Sequence, residues 1–122
     1  MKLNIKEKLM LYALGKYYDI SAKVLPNTEL AIHLPKTIFI DFIRKVELFD
    51  KGERAIYKNL EYLEDRKLVS YANKNLSLTE KGQKIYERIK ADVRPYFEMN
   101  KIIVDDRVKQ SKKLQTSFRL FK

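Results

Sequence analysis

Lys51, Arg54, Tyr57 and Lys58 fall within one short stretch, and Lys74 follows inside the turn-forming run Ala72-Asn73-Lys74-Asn75. These residue types suit contact with nucleic acid. An arginine can fork to a guanine edge, and a lysine can neutralise a phosphate. Tyr57 and Tyr71 can donate to phosphate or stack, and the same spacing suits the rim of a core equally well. Residues with catalytic potential are thinly supplied. The single histidine, His33, has no cysteine partner and no motif spacing to a carboxylate. A lone histidine among apolar neighbours reads as a structural or surface residue. Asp105 and Asp106 sit among basic residues, as on a solvated helix face. Gly15, Gly52 and Gly82 are too scattered for a phosphate loop. The expectation is a protein that is not an enzyme and holds no cofactor or metal.

The elements that must position these residues centre on Glu53–Gly82. Ile56, Leu60 and Leu63 recur at helical spacing and predict a helix over 53–66 with one buried stripe. At about 100° per residue, Arg54, Lys58, Glu61 and Asp65 occupy the opposite face, flanked by Tyr57 and Tyr62. That face is basic first and acidic later. A helix entering the major groove presents its N-terminal residues to the bases, where its partial positive charge adds attraction. After Lys67 the period becomes two. Leu68-Val69-Ser70-Tyr71 and Leu76-Ser77-Leu78 predict a short hairpin over 68–78, and Thr79 suits the N-cap of the next helix.

This pattern resembles the winged helix-turn-helix of MarR- and PadR-type DNA-binding regulators. The matching residues are Leu63-Glu64 through Leu68-Val69 and Leu78-Thr79-Glu80-Lys81-Gly82, about a quarter of the chain. The wing is shorter than in those families and lacks their Asp-Arg-Arg-like tip. The resemblance implies a recognition helix over 53–66, a wing over 68–78 and a dimer built by terminal helices. Winged helices of this kind also serve as protein-binding adaptors, so that reading stays open.

Ile5, Leu9, Tyr12, Ala13 and Tyr17 outline a first helix, which Met10, Leu11 and Leu14 make apolar almost all round. Such a helix is either central to a core or shared with a second subunit. Asp19-Ile20-Ser21 is expected to end it, with a break at Pro26-Asn27-Thr28. Leu30, Ile32 and Leu34 alternate as in a short strand or link. Pro35 suits a helix start, and Ile38, Phe39, Phe42, Ile43 and Val46 continue that helix to about Leu48. Phe49-Asp50-Lys51-Gly52 reads as the turn. After Thr79 the expected buried face is Ile85, Ile89 and Val93, with Tyr86 and Phe97 beside it. Arg94-Pro95 should kink or end that helix, and a further helix is expected over Tyr96–Val108.

A chain of 122 residues carries one core, and its net charge of +10 favours a polyanionic partner. No cysteine means no disulfide and no thiolate metal site. The start, MKLNIKEKLMLYALGKYY, lacks a signal peptide's long apolar core, and no run reaches the roughly 20 apolar residues of a membrane span. A cytoplasmic location without membrane contact is expected. Gln115, Phe118 and Phe121 resemble part of the sliding-clamp binding box, although Lys122 replaces its second aromatic. The same side chains suit packing onto the core or a partner subunit.

These readings converge on a mainly α fold: a winged helix-turn-helix with a short two-stranded wing and extra N- and C-terminal helices. The division expected is a winged-helix domain over 1–100 and a basic C-terminal helix or tail over 101–122. The expected function is DNA-binding transcriptional regulation as a homodimer on double-stranded DNA, with Lys51, Arg54, Tyr57, Lys58 and Lys74 as contacts. The alternative is an adaptor of a replication or transcription complex that takes a protein partner through its tail.

Overall fold

The computed structural model describes residues 2–24, 33–49 and 52–120, with side chains to residue 112. Three helices, α1 (Ile5–Val24), α2 (Lys36–Arg44) and α3 (Glu53–Asp65), precede a hairpin of β1 (Val69–Ala72) and β2 (Asn75–Leu78). A fourth helix, α4 (Glu80–Leu120), follows. The fold is mainly helical with one two-stranded antiparallel sheet, consistent with the expected winged-helix arrangement. The chain divides into two compact units, Met1–Ile89 and Lys90–Lys122.

In the first unit α1 and α2 both pack on α3, and α1 also meets β2. The stripe Ile56, Leu60 and Leu63 is fully buried, as its spacing predicts, together with Leu11, Leu14, Phe39, Ile43 and Leu76. Each such side chain contributes about 1.5–3 kcal/mol by leaving water. The buried face of α1 is Glu7, Met10, Leu11, Leu14 and Gly15; of the face outlined from Ile5, Ile5 itself is exposed and Leu9, Tyr12, Ala13 and Tyr17 are half-buried. Asn4 Oδ1 caps α1 by accepting the Glu7 amide at 2.8 Å. The helix continues past the expected stop at Asp19-Ile20-Ser21 to Val24, because Asp19 accepts a tertiary hydrogen bond from the Tyr86 hydroxyl instead of capping.

The link from α3 to the wing is a Schellman motif. Lys67 takes φ +60, and the Leu68 amide donates to Leu63 O at 3.0 Å while both side chains are buried. The hairpin closes on Asn73 and Lys74, at φ +54 and +65, with Ala72 opposite Asn75. This two-residue turn has positive φ at both central positions, which matches strand twist. Both strands therefore run one residue nearer the tip than the alternation suggested. Thr79 caps α4, accepting the Gly82 amide at 3.0 Å and donating to Lys67 O at 2.6 Å. Gly82 is required there: a Cβ would lie 2.0 Å from Leu68 O.

Further departures have local causes. The Leu76 amide donates to Leu34 O and Pro35 bridges Asn75, so the stretch before α2 attaches to the wing edge. Leu30 and Ile32, like the break at Pro26, lie outside the described residues. The helix expected to reach Leu48 ends at Arg44, where the Lys45 and Val46 amides bond three residues back. A 3-10 turn over Glu47–Phe49 then buries Phe49. On α4 the innermost residue is Tyr86, fully buried, whereas Ile85 and Val93 are half-buried and Phe97 is exposed. The Tyr86 ring lies where a Cβ on Gly15 would come within 2.4 Å of it.

The expected break at Arg94-Pro95, with a separate helix from Tyr96, does not occur. Pro95 lies inside α4, which continues through it. An interior proline costs a helix about 3 kcal/mol. Here it frees the carbonyl of Ala91, an exposed residue whose backbone water can solvate. Among the described residues no helix is long and apolar enough to cross a membrane.

Candidate nucleic-acid interface

The face of α3 opposite its buried stripe is open. Arg54, Tyr57, Lys58, Glu61 and Asp65 are all exposed, in the order the helical spacing requires. Arg54, Tyr57, Lys58 and Glu61 line a shallow depression of about 380 Å³. On this face the basic residues, Arg54 and Lys58, come first and the acidic ones, Glu61 and Asp65, follow.

Two ion pairs set the helix in place. Arg44 at the end of α2 donates to Glu53 Oε1 at 2.7 Å, tying that end to the start of α3. Both side chains are about half exposed, so water screens the pair and its worth is under about 1 kcal/mol. The second pair joins Lys36 Nζ to Glu64 Oε1 at 3.6 Å and is better covered. Lys36 Nζ also faces the Tyr71 ring at 4.8 Å and the Tyr57 ring at 5.8 Å from their centroids. At the C-terminal end of α3, the capping residue Arg66 stacks on Tyr62 at 4.1 Å.

Of the residues singled out for DNA contact, Arg54, Tyr57 and Lys58 share one surface. Lys74 is exposed at the wing turn, and Lys51 lies outside the described residues. Gln115 and Phe118 belong to the stretch of α4 whose backbone alone is described, and Phe121 lies outside the described residues. Lys101, Arg107, Lys109 and Lys112 are exposed on α4, as are Asp105 and Asp106.

Lys36 carries no mark of its place in the sequence. Its contacts come from α3 and β1, and only the position after Pro35, the helix start, hints at a fixed location. His33 serves the structure. Its Nδ1 accepts from Asn75 Nδ2 at 2.9 Å, and its carbonyl accepts from the Tyr17 hydroxyl at 3.0 Å. The Tyr18 hydroxyl donates to Leu76 O from the same side, and burial, then neighbouring Tyr17, raises its pKa. No group of acidic, histidine or cysteine side chains suited to a metal occurs among the described residues.

No protein-family model matches the chain, and no curated protein or solved structure is significantly similar to it.

Proposed function

We propose that this protein is a cytoplasmic, non-enzymatic DNA-binding regulator of transcription, of the winged-helix kind found in MarR- and PadR-type proteins. In this reading α3 lies in the major groove and the Asn73-Lys74 turn rests on the flanking backbone. The observation that carries it is the open N-terminal half of α3, where Arg54, Tyr57 and Lys58 line one depression. On this face Glu61, which lines the same depression, and Asp65 come after the basic residues, the polarity suited to a helix that enters the groove by its N-terminus, and Glu53 in the first turn is paired with Arg44. The net charge of +10 supports a polyanionic partner.

The reading includes a homodimer. Tyr96, Met99, Ile102, Ile103, Val104 and Val108 are each exposed by about half or more on α4. Covering them with a second copy removes apolar surface from water and links two recognition helices across two half-sites.

Arg54→Ala and Lys58→Ala test the reading. Arg54→Ala is expected to relax sequence preference and cost about 1–3 kcal/mol on the preferred site. Lys58→Ala is expected to weaken binding to every sequence and lower the salt slope by about one. Footprints on genomic fragments should be discrete. Uniform coating, or two variants that bind as the parent does, would favour the adaptor reading instead.

A further inference from the structure

The acidic half of α3 poses a problem for DNA contact, because Glu61, Glu64 and Asp65 repel phosphate. Glu64 is the one whose charge the fold deals with. Its Oε1 is buried without a hydrogen bond, and the Lys36 ammonium, 3.6 Å away, lies just beyond hydrogen-bond length. An ion pair at that distance still balances the charge in a partly buried setting. The ammonium is itself enclosed. Its side chain is only 22% exposed, with Tyr71 on one side and Tyr57 on another. A cation so covered and neutralised is not a free phosphate ligand. Its effect falls on the rings, since an ammonium over an aromatic face holds that face towards it.

The two rings come from different elements, Tyr57 from α3 and Tyr71 from β1, and both remain 37–45% exposed. Neither hydroxyl forms a hydrogen bond among the described residues. The backbone of Lys36 is fixed as well, because Pro35 before it bridges Asn75 at the wing. One cation thus joins the start of α2, the middle of α3 and the wing.

We infer that Lys36 is a positioning residue, holding the Tyr57 and Tyr71 hydroxyls as neutral donors to the DNA phosphodiester backbone where α3 meets the wing. This rests on the assignment of α3 and the wing as the DNA face. Neutral donors suit this place because Glu61 and Glu64, one and two turns on from Tyr57, lie on the same side of the helix. They also leave a signature: a phenol that contacts phosphate displaces no counterion, so its loss weakens binding without changing the salt slope.

Duplex binding measured at several salt concentrations tests the inference. Tyr57→Phe and Tyr71→Phe should each lower affinity about fivefold, the effect of one lost hydrogen bond, with the parent's salt slope. Lys36→Met alone strands the Glu64 carboxylate, so it is combined with Glu64→Gln. The double variant keeps the net charge and should fold as the parent does. It should nevertheless lose about tenfold or more in affinity at unchanged slope, with no further loss when Tyr57→Phe is added. Lys36→Arg keeps a cation on the rings and should restore near-parental binding. If the phenylalanine variants or the double variant bind as the parent does while Arg54→Ala still weakens binding, the inference is overturned and the DNA reading stands. A parent that does not bind duplex DNA overturns both.

Discussion

Residues 53–89 and residues 90–112 make opposite use of similar ingredients. Nine of the 23 residues in 90–112 are apolar, a share not far below the 45% of the whole chain, yet none of the nine is buried. In the preceding stretch Ile56, Leu60, Leu63, Leu68, Leu76 and Tyr86 are fully buried. The difference is geometric. An interior needs several elements to converge, and in the first unit they do so at contacts only glycine permits, Gly82 under Leu68 O and Gly15 under the Tyr86 ring. The second unit offers one helix, and one helix has no inside. Apolar residues on such a helix measure what remains to be covered.

The largest loss is expected where a close approach is blocked. Gly82→Ala places a Cβ 2.0 Å from a backbone carbonyl, which cannot swing aside as a side chain can. Helix propensity favours alanine by about 1 kcal/mol. The overlap should outweigh it and leave a net loss of about 3 kcal/mol or more. Urea unfolding measures this, and a variant as stable as the parent would show that α4 does not start against the wing as described.

The next largest effect concerns the second unit. Ending the chain after Arg94 removes the large exposed apolar residues of α4 and leaves the core residues through Ile89. The expected product is a soluble monomer whose thermal midpoint stays within a few degrees of the parent's. On the proposed reading of a dimer that binds DNA, its affinity should fall about tenfold to a hundredfold, because two half-sites would no longer be joined. Sedimentation gives the mass. If the full chain already sediments as one subunit, the covering of α4 by a second copy is wrong.

The sequence made the first unit legible where one element sufficed. The period of Ile56, Leu60 and Leu63 gave the buried side of α3, and with it Arg54 and Lys58 on the open side. Thr79 as a cap and Asn73-Lys74 as a turn were equally local matters. What could not be read depends on a second element. Which side of α1 faces inward is decided by the Tyr86 ring against Gly15, and a helix apolar nearly all round carries no mark of that. Asp19 looked like a helix end because its partner lies 67 residues away. Lys36 looked like any basic residue until α3 and β1 brought two rings to it. Pro95 misled for the opposite reason, since its local cost is real and no packing opposes the helix around it.

The smallest effect lies at the contact between α1 and α4, where the Tyr86 hydroxyl donates to Asp19 Oδ2 at 2.5 Å. Tyr86→Phe keeps the ring under Gly15 and removes only this bond. Hydrogen bonds to charged groups are worth about 1.5–3 kcal/mol, and the loss should fall near the lower figure because Asp19 is half-buried and water can reach it. The pH dependence sharpens the test. Burial first, then the bond and charge of Asp19, raise the Tyr86 pKa well above its ordinary 10. In the unfolded chain the phenol ionises from about pH 10, while in the folded chain it stays neutral further up. Its contribution is therefore complete below about pH 10 and is lost as pH rises beyond that. Chemical denaturation from pH 8 to 11 should show the parent losing stability more steeply above pH 10 than Tyr86→Phe, so that the two converge. Parallel curves would mean that the phenol ionises as readily in the fold as outside it.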